Sequence, residues 1–146
     1  MMFLFPKKSK FTTSFSGSRI VVKSIKKSYN IINKRGHISL VANECGKITN
    51  FQQEALRRFL RRFLKRKAQL FFNIYPYTPI TKKPNDVRQG RGKGNIKYWA
   101  GTVKKGDTLL EIRSVNIKFA INILNAARVK LTVKTFVNNQ QQRWIL

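Results

Sequence analysis

The residues best suited to specific chemistry lie in a glycine-rich segment, VRQGRGKGNIKYW, at positions 87–99. Glycines and cations alternate there, and the candidate functional residues are Arg88, Gly90, Arg91, Gly92, Lys93 and Gly94. Glycine lets a backbone approach a phosphate or a ribose closely, while neighbouring cations neutralise the phosphate charge. The chemistry indicated is the binding of a polynucleotide backbone.

The spacing of these glycines excludes two better-known phosphate sites. A dinucleotide-binding fingerprint needs G-x-G-x-x-G opening a helix, and a P-loop needs G-x-x-x-x-G-K followed by Ser or Thr. Here Gly94 is followed by Asn95 and an alternating, strand-like stretch. Glycines alone would fit a flexible connection equally well, and it is the three cations that favour a phosphate ligand.

Groups that could catalyse a reaction are few and scattered along the sequence. They comprise five acids, one histidine and one cysteine: Glu44, Glu54, Asp86, Asp107, Glu111, His37 and Cys45. Acid and base catalysis requires such groups to converge in one pocket. A single cysteine allows neither an intramolecular disulfide nor a zinc ligand set. We therefore expect no enzymatic activity, no metal site and no cofactor.

The charge of the chain points to a polyanionic partner. Among 146 residues, 31 are Lys or Arg and 5 are Asp or Glu, giving a formal net charge of +26. Hydrophobic residues make up 42% of the sequence, which is too many for a disordered basic tail. A folded nucleic-acid-binding protein is expected. One alternative is a nucleoid-type protein that binds DNA non-specifically. The other is an RNA-modifying enzyme, for which the sequence offers few catalytic groups.

A second group of cations must be positioned by a helix. Thr49 and Gln52 have the spacing of an N-terminal capping box. An apolar face is predicted to follow and to belong to the core: Phe51, Ala55, Leu56, Phe59, Leu60, Phe63 and Leu64. The opposite face is predicted to contact nucleic-acid phosphates through its cations: Arg57, Arg58, Arg61, Arg62, Lys65 and Arg66.

The remaining patterns predict an α+β fold, a mostly antiparallel sheet packed with two helices. Strands are expected near residues 19–25, 37–42, 69–75, 95–103, 108–113 and 131–137, with a stiff loop at 76–84 and a second helix at 116–128. The strands at 95–103 and 108–113 are expected to form a hairpin. The organisation is a basic arm at 1–36, a body at 37–137 and a tail at 138–146.

The sequence contains no apolar run of about 20 residues, so no membrane span is expected. Its preference for Lys, Asn, Ile and Phe is typical of AT-rich genes, many of which are organellar. We therefore expect a mitochondrial location, with a plastid or the bacterial cytoplasm as the alternatives.

Several short motifs together resemble the universal large-subunit ribosomal protein family called L-sixteen in bacteria. They are Pro79-Ile80-Thr81-Lys82-Lys83-Pro84, Val87-Arg88, Gly90-Arg91-Gly92-Lys93-Gly94-Asn95 and Tyr98-Trp99. Further matches are Pro6-Lys7-Lys8-Ser9-Lys10-Phe11 at the start, Glu54, Ala55, Arg57 and Arg58 in the first helix, and Lys134-Thr135-Phe136-Val137 near the end. The match at residues 6–11 favours a retained N-terminus over a cleaved import signal.

The resemblance implies a non-catalytic constituent of the large ribosomal subunit. Such a protein would bind large-subunit rRNA near the base of the central protuberance and contact neighbouring large-subunit ribosomal proteins. Its glycine-rich segment would face the peptidyl-transferase region and the tRNA in the aminoacyl site. Three residues of the arm are carried over as rRNA contacts: Lys7, Lys8 and Lys10.

Overall fold

The computed structural model describes residues 6, 33, 35–65, 67–114 and 116–139. This part of the chain forms seven strands, two helices and one 3-10 turn. They are β1 (Ile38–Ala42), β2 (Gly46–Thr49), α1 (Asn50–Leu64), β3 (Ala68–Phe72), β4 (Thr78–Thr81), β5 (Ile96–Val103), β6 (Thr108–Ser114), α2 (Ile117–Ala127), the 3-10 turn (Arg128–Lys130) and β7 (Thr135–Asn139). The predicted α+β class is confirmed.

The strands form two antiparallel sheets. One has the order β3-β6-β1-β7 and the other the order β2-β5-β4. In the first, β1 lies between β6 and β7, and all five of its residues are buried, including the polar Ser39. A central strand covered on both faces explains why its inward and outward residues are equally inaccessible.

The hydrophobic core lies between these sheets and the two helices. Its completely buried members include Leu40 of β1, Leu60 of α1, Leu110 of β6 and Leu124 of α2. The helices pack against each other, α1 also against β2 and β5, and α2 also against β1, β6 and β7. The core therefore fixes α1 relative to the sheet that carries the glycine-rich segment.

The start of α1 is set by the predicted capping box. The Gln52 backbone N–H donates to the Thr49 hydroxyl oxygen at 3.2 Å, and the Thr49 N–H donates to the Gln52 side-chain oxygen at 3.0 Å. These bonds satisfy two donors that a helix N-terminus leaves unpaired. The helix ends at Lys65, which adopts the left-handed conformation with φ 42°.

The predicted hairpin of residues 95–103 with 108–113 is wrong. The connection does turn at residues 104–107, where the Lys104 N–H donates to the Asp107 carboxylate at 2.8 Å. However, Gly106 and Asp107 exchange backbone hydrogen bonds with Ala42, so β6 enters the first sheet while β5 stays in the second. The turn was therefore predicted at the right residues, but β6 pairs with β1 rather than with β5.

Other boundaries also differ from the prediction, and the strand expected at 69–75 is Ala68–Phe72. The proline-rich segment at 76–84 contains β4, which among the described strands pairs only with β5, and Pro79 is tolerated because β4 is an edge strand. The last strand is Thr135–Asn139 rather than 131–137. The second helix is confirmed, with Asn116 as its cap. The strand expected near residues 19–25 lies outside the described residues.

None of the helices in the described part of the chain is both long and apolar enough to cross a bilayer.

Candidate nucleic-acid interface

The glycine-rich segment forms the connection between β4 and β5, here called the glycine loop (residues 82–95). Its base is closed by the Lys82 N–H, which donates to the Asn95 carbonyl oxygen at 3.1 Å. A second, longer bond joins the Val87 N–H to the Pro84 carbonyl oxygen at 3.4 Å. Every residue from 84 to 93 is exposed. The loop is therefore a projection whose shape depends on its own backbone rather than on packing.

Glycine is required in this loop for two different reasons. Gly90 and Gly92 have φ values of 98° and 73°, which side chains rarely tolerate, and no other atom lies within 4 Å of the position of a Cβ on either. At Gly94, by contrast, a Cβ would lie 2.5 Å from the carbonyl oxygen of Lys82. The first two glycines allow the turn, and the third lets the two ends of the loop approach each other.

The cations of the loop face solvent. Arg88, Arg91 and Lys93 are all exposed, as is Asp86, which is the single acid of the loop. Within the described residues neither arginine forms an ion pair. The structure thus places all six candidate residues in one exposed, net positive projection, and only Gly94 is half-buried.

The cations of α1 do not form one uniform surface. Arg57 is held by Glu54 through two hydrogen bonds, from Nε at 2.7 Å and from Nη2 at 2.6 Å. The bond from Arg57, with that from Arg58, lowers the pKa of Glu54 from 4.5 to about 2 against a raising effect of burial. The same pairing raises the pKa of Arg57. Arg57 is therefore engaged within the helix, and it is a weaker candidate for a phosphate contact than its neighbours.

Four other cations of α1 remain available to a ligand. Arg58 donates one bond to Glu54 at 2.9 Å, yet 75% of its side chain is exposed. Arg61, Arg62 and Lys65 are also exposed. Four further predicted contacts lie outside the described residues: Lys7, Lys8, Lys10 and Arg66.

The predicted apolar face of α1 needs correction. The buried apolar residues are Leu56, Leu60 and Leu64, spaced i, i+4 and i+8, and the polar Asn50 and Gln53 are buried with them. Phe51 and Phe63 are exposed by 63% and 46%. At 100° per residue, Phe51 lies about 180° from Leu60. One leucine row is enough to fill the space beneath the helix, so Phe51 stands among the cations rather than in the core.

Phe59 and Phe63 differ from Phe51 because they lie beside the leucine row. Their ring centroids are 4.8 Å apart, and Phe59 packs partly against the core. Lys130 of the 3-10 turn lies 5.9 Å from the Phe59 ring. Phe59 and Phe63 therefore lie on the side of α1 that faces the 3-10 turn.

The glycine loop and the start of α1 both lie towards the same end of the second sheet. Thr49, the cap of α1, pairs with Ala100 of β5, and β2 runs towards the end of β5 from which the loop projects. Ala100 is four residues from Ile96, which corresponds to roughly 13 Å along a strand. The sequence gives no sign of this relation, because it depends on strand pairing.

Glu111, one of the scattered acids, has a structural role. Glu111 is 1% exposed, and one of its oxygens accepts the backbone N–H groups of Arg35 and Gly36 at 2.6 and 2.8 Å. Its other oxygen accepts the Asn73 side-chain amide at 2.8 Å. Glu111 and Asp107 also line an open groove of about 770 Å³. Sequence reasoning missed that Glu111 anchors the junction between arm and body.

No group of three or more His, Cys, Asp or Glu residues within the described ranges is arranged to hold a metal ion.

Comparisons with known proteins relate most of this chain to one family. Residues 6–137 match the family model described as Ribosomal protein L16p/L10e. The chain is 40% identical over 132 residues to the large ribosomal subunit protein uL16 of Erythrobacter litoralis (strain HTCC2594), covering 90% of this chain and 89% of that protein. It is 37% identical over 134 residues to the protein of the same name from Blochmanniella pennsylvanica (strain BPEN), covering 92% and 96%.

Proposed function

The chain belongs to the Ribosomal protein L16p/L10e family, and from that premise we propose that it is a structural, non-enzymatic constituent of the large ribosomal subunit. It binds large-subunit rRNA near the base of the central protuberance. Its glycine loop helps to position the tRNA in the aminoacyl site, close to the peptidyl-transferase centre. Its partners are rRNA, tRNA and neighbouring large-subunit proteins.

The observation that carries this proposal is the family match over residues 6–137, which includes the whole glycine loop. The exposed cations Arg88 and Arg91 supply charge for phosphates, and the flanking glycines expose backbone N–H groups that can donate to them. Contacts of this kind fix position without reading sequence. Specificity comes from the shape of the folded RNA.

The work assigned to the loop is positioning. A tRNA end must be held in one orientation, and a projection closed at its base by the bond from Lys82 to Asn95 offers a fixed point of attachment. No side chain of the loop is assigned a chemical step in peptide transfer. The arginines act through charge and the glycines through close approach.

The location within the cell is a finer part of the proposal. The composition favours a mitochondrial ribosome, whereas the relatives described above are bacterial. Sedimentation of the endogenous protein with mitochondrial large subunits is the expected result. Sedimentation with plastid or cytoplasmic bacterial subunits would contradict the mitochondrial location but not the ribosomal role.

The loop is tested by replacing Arg88 and Arg91 with alanine in large subunits. Because both side chains are exposed and make no ion pair in the described residues, the fold and the incorporation of the protein should be unchanged. The affinity of tRNA for the aminoacyl site should fall about tenfold or more, since two charged contacts are lost.

The matched control is the replacement of Lys104 and Lys105, which are exposed in the turn between β5 and β6, and it should leave tRNA affinity unaltered. Subunits with the double arginine replacement that bind tRNA as tightly as the wild type would contradict the assigned role of the loop.

A further inference from the structure

Phe51 is the most exposed phenylalanine in the described part of the chain, with 63% of its surface accessible. It is not needed by the core, because Leu56, Leu60 and Leu64 fill the buried side of the helix and are no more than 4% exposed. An exposed aromatic side chain is not unusual by itself, but Phe51 lies on the same side of the helix as the exposed cations Arg58 and Arg62.

The neighbours of Phe51 define that surface. Residues 51, 55, 58 and 62 are spaced i, i+4, i+7 and i+11, so they form one row, here called the outer face of α1. Ala55 is exposed and small, so no bulky side chain lies between Phe51 and Arg58 in this row. Arg58 lies about 10 Å along the helix from Phe51, at 1.5 Å per residue.

The charge around the ring is positive. Glu54, the single acid of α1, is already bound to Arg57 and accepts a bond from Arg58. Arg61, Arg62 and Lys65 add exposed cations without an acidic partner in the described residues. A ligand of the outer face must therefore offer both a planar apolar surface and negative charge.

We propose that the outer face of α1 binds an unpaired nucleotide of rRNA, with the base stacked on the Phe51 ring and adjacent phosphates bound by Arg58 and Arg62. This inference rests on the proposed function and specifies the ligand of a helix that was assigned only phosphate contacts. Bases stack on aromatic rings regardless of sequence, and cationic residues follow the backbone.

A single-stranded segment fits better than the other candidates. In a duplex the flat faces of the bases are already stacked on one another, so the ring would find no partner. An apolar protein surface would have to desolvate Arg58 and Arg62 without supplying acids, which is unfavourable. The position of α1 supports the assignment, because its cap lies towards the loop end of β5.

Binding of the full-length protein to a labelled 12-nucleotide oligoadenylate tests the stacking. Replacing Phe51 with leucine should weaken binding about tenfold, since leucine keeps apolar area but loses the flat ring. The dependence of binding on salt should not change, because no phosphate contact is lost. Phe51→Trp keeps a flat aromatic ring and should bind with the wild-type affinity.

Two controls make this result specific. Phe119 of α2 is 47% exposed and lies on the other helix, so Phe119→Leu should bind oligoadenylate normally. Arg62→Ala should weaken binding and also reduce the salt slope by about one. Equal affinities for wild-type protein and Phe51→Leu would overturn the proposal, as would a Phe51→Leu loss that Phe51→Trp does not restore.

The assembled particle provides a second test. A photoreactive benzoylphenylalanine is placed at position 51 or, as the control, at position 119, and large subunits are irradiated. Crosslinks from position 51 to an unpaired rRNA nucleotide are expected. Crosslinks from position 51 to protein, or none, would overturn this inference while the proposed function stands. Absence of the wild-type chain from large subunits would overturn both.

Discussion

The glycine loop and α1 present positive charge in two opposite ways. In the loop, Arg88 and Arg91 are carried by an exposed backbone that depends on glycines with positive φ. In α1, the cations are carried by a helix whose orientation is fixed by buried leucines and whose single acid already holds Arg57. We therefore expect the loop to approach a ligand closely and the helix to hold a ligand at a fixed distance from the core.

This difference predicts which mutations should reduce stability and which should reduce function. The geometry of α1 depends on its buried side, so changes under the helix should cost the most stability. The geometry of the loop depends on local backbone conformation, so its changes should cost less stability and more function. Three predictions can break or sharpen that contrast.

The largest effect on stability is expected under α1. Leu60 is completely buried, so Leu60→Ala should lower the free energy of unfolding by about 2–5 kcal/mol. Phe51→Ala, on the outer face of the same helix, should change it by no more than about 0.5 kcal/mol. Urea unfolding of the two purified variants measures both values. Similar losses would show that Phe51 belongs to the core after all.

An intermediate effect is expected at the base of the glycine loop. A Cβ at Gly94 would meet the backbone of Lys82 at 2.5 Å, so Gly94→Ala should cost about 1–3 kcal/mol of unfolding free energy. Gly92→Ala places its Cβ in open space and should cost only the left-handed strain, about 1–2 kcal/mol, confined to the loop.

Trypsin cleavage within residues 82–95 distinguishes these two glycine variants. Gly94→Ala should be cleaved faster than Gly92→Ala, because its closure by the bond from Lys82 to Asn95 is disturbed. Equal cleavage rates would mean that the loop base is not closed in solution.

The smallest effect concerns pH. The pKa of Glu54 is lowered to about 2 in the folded protein, so its ionised form stabilises the fold above pH 4.5. That contribution should be lost as the pH falls from 4.5 towards 2. Because the pair lies on the helix surface, the loss should be below about 1 kcal/mol. Glu54→Gln should remove this part of the acid dependence, and an unchanged profile of thermal unfolding against pH would contradict the pairing.

Local signals in the sequence were enough to predict the capping box at Thr49, both helices and the exposed glycine loop. They depend on residues close together in the chain, and the structure retains them. The partners of β5 and β6 were not predictable in this way, because Ala42, more than sixty residues earlier, supplies the hydrogen bonds that separate them.

The orientation of α1 was predictable only in part. Leucine and phenylalanine rows at helical spacing are both apolar, and their joint pattern suggested one broad buried face. Which row packs depends on the tertiary structure, where α1 contacts α2, β2 and β5 and buries its leucines. The role of Glu111 depends likewise on the path of Arg35 and Gly36, which no local pattern reveals.

The central claim is that the glycine loop contacts RNA at the aminoacyl site. Ultraviolet crosslinking of native ribosomes, with sequencing of the attached nucleic acid and mapping of the crosslinked peptides, tests it most directly. We expect peptides from residues 87–99 to carry tRNA or peptidyl-transferase rRNA. Crosslinks dispersed over genomic DNA, or RNA crosslinks from every part of the protein except this segment, would contradict the account.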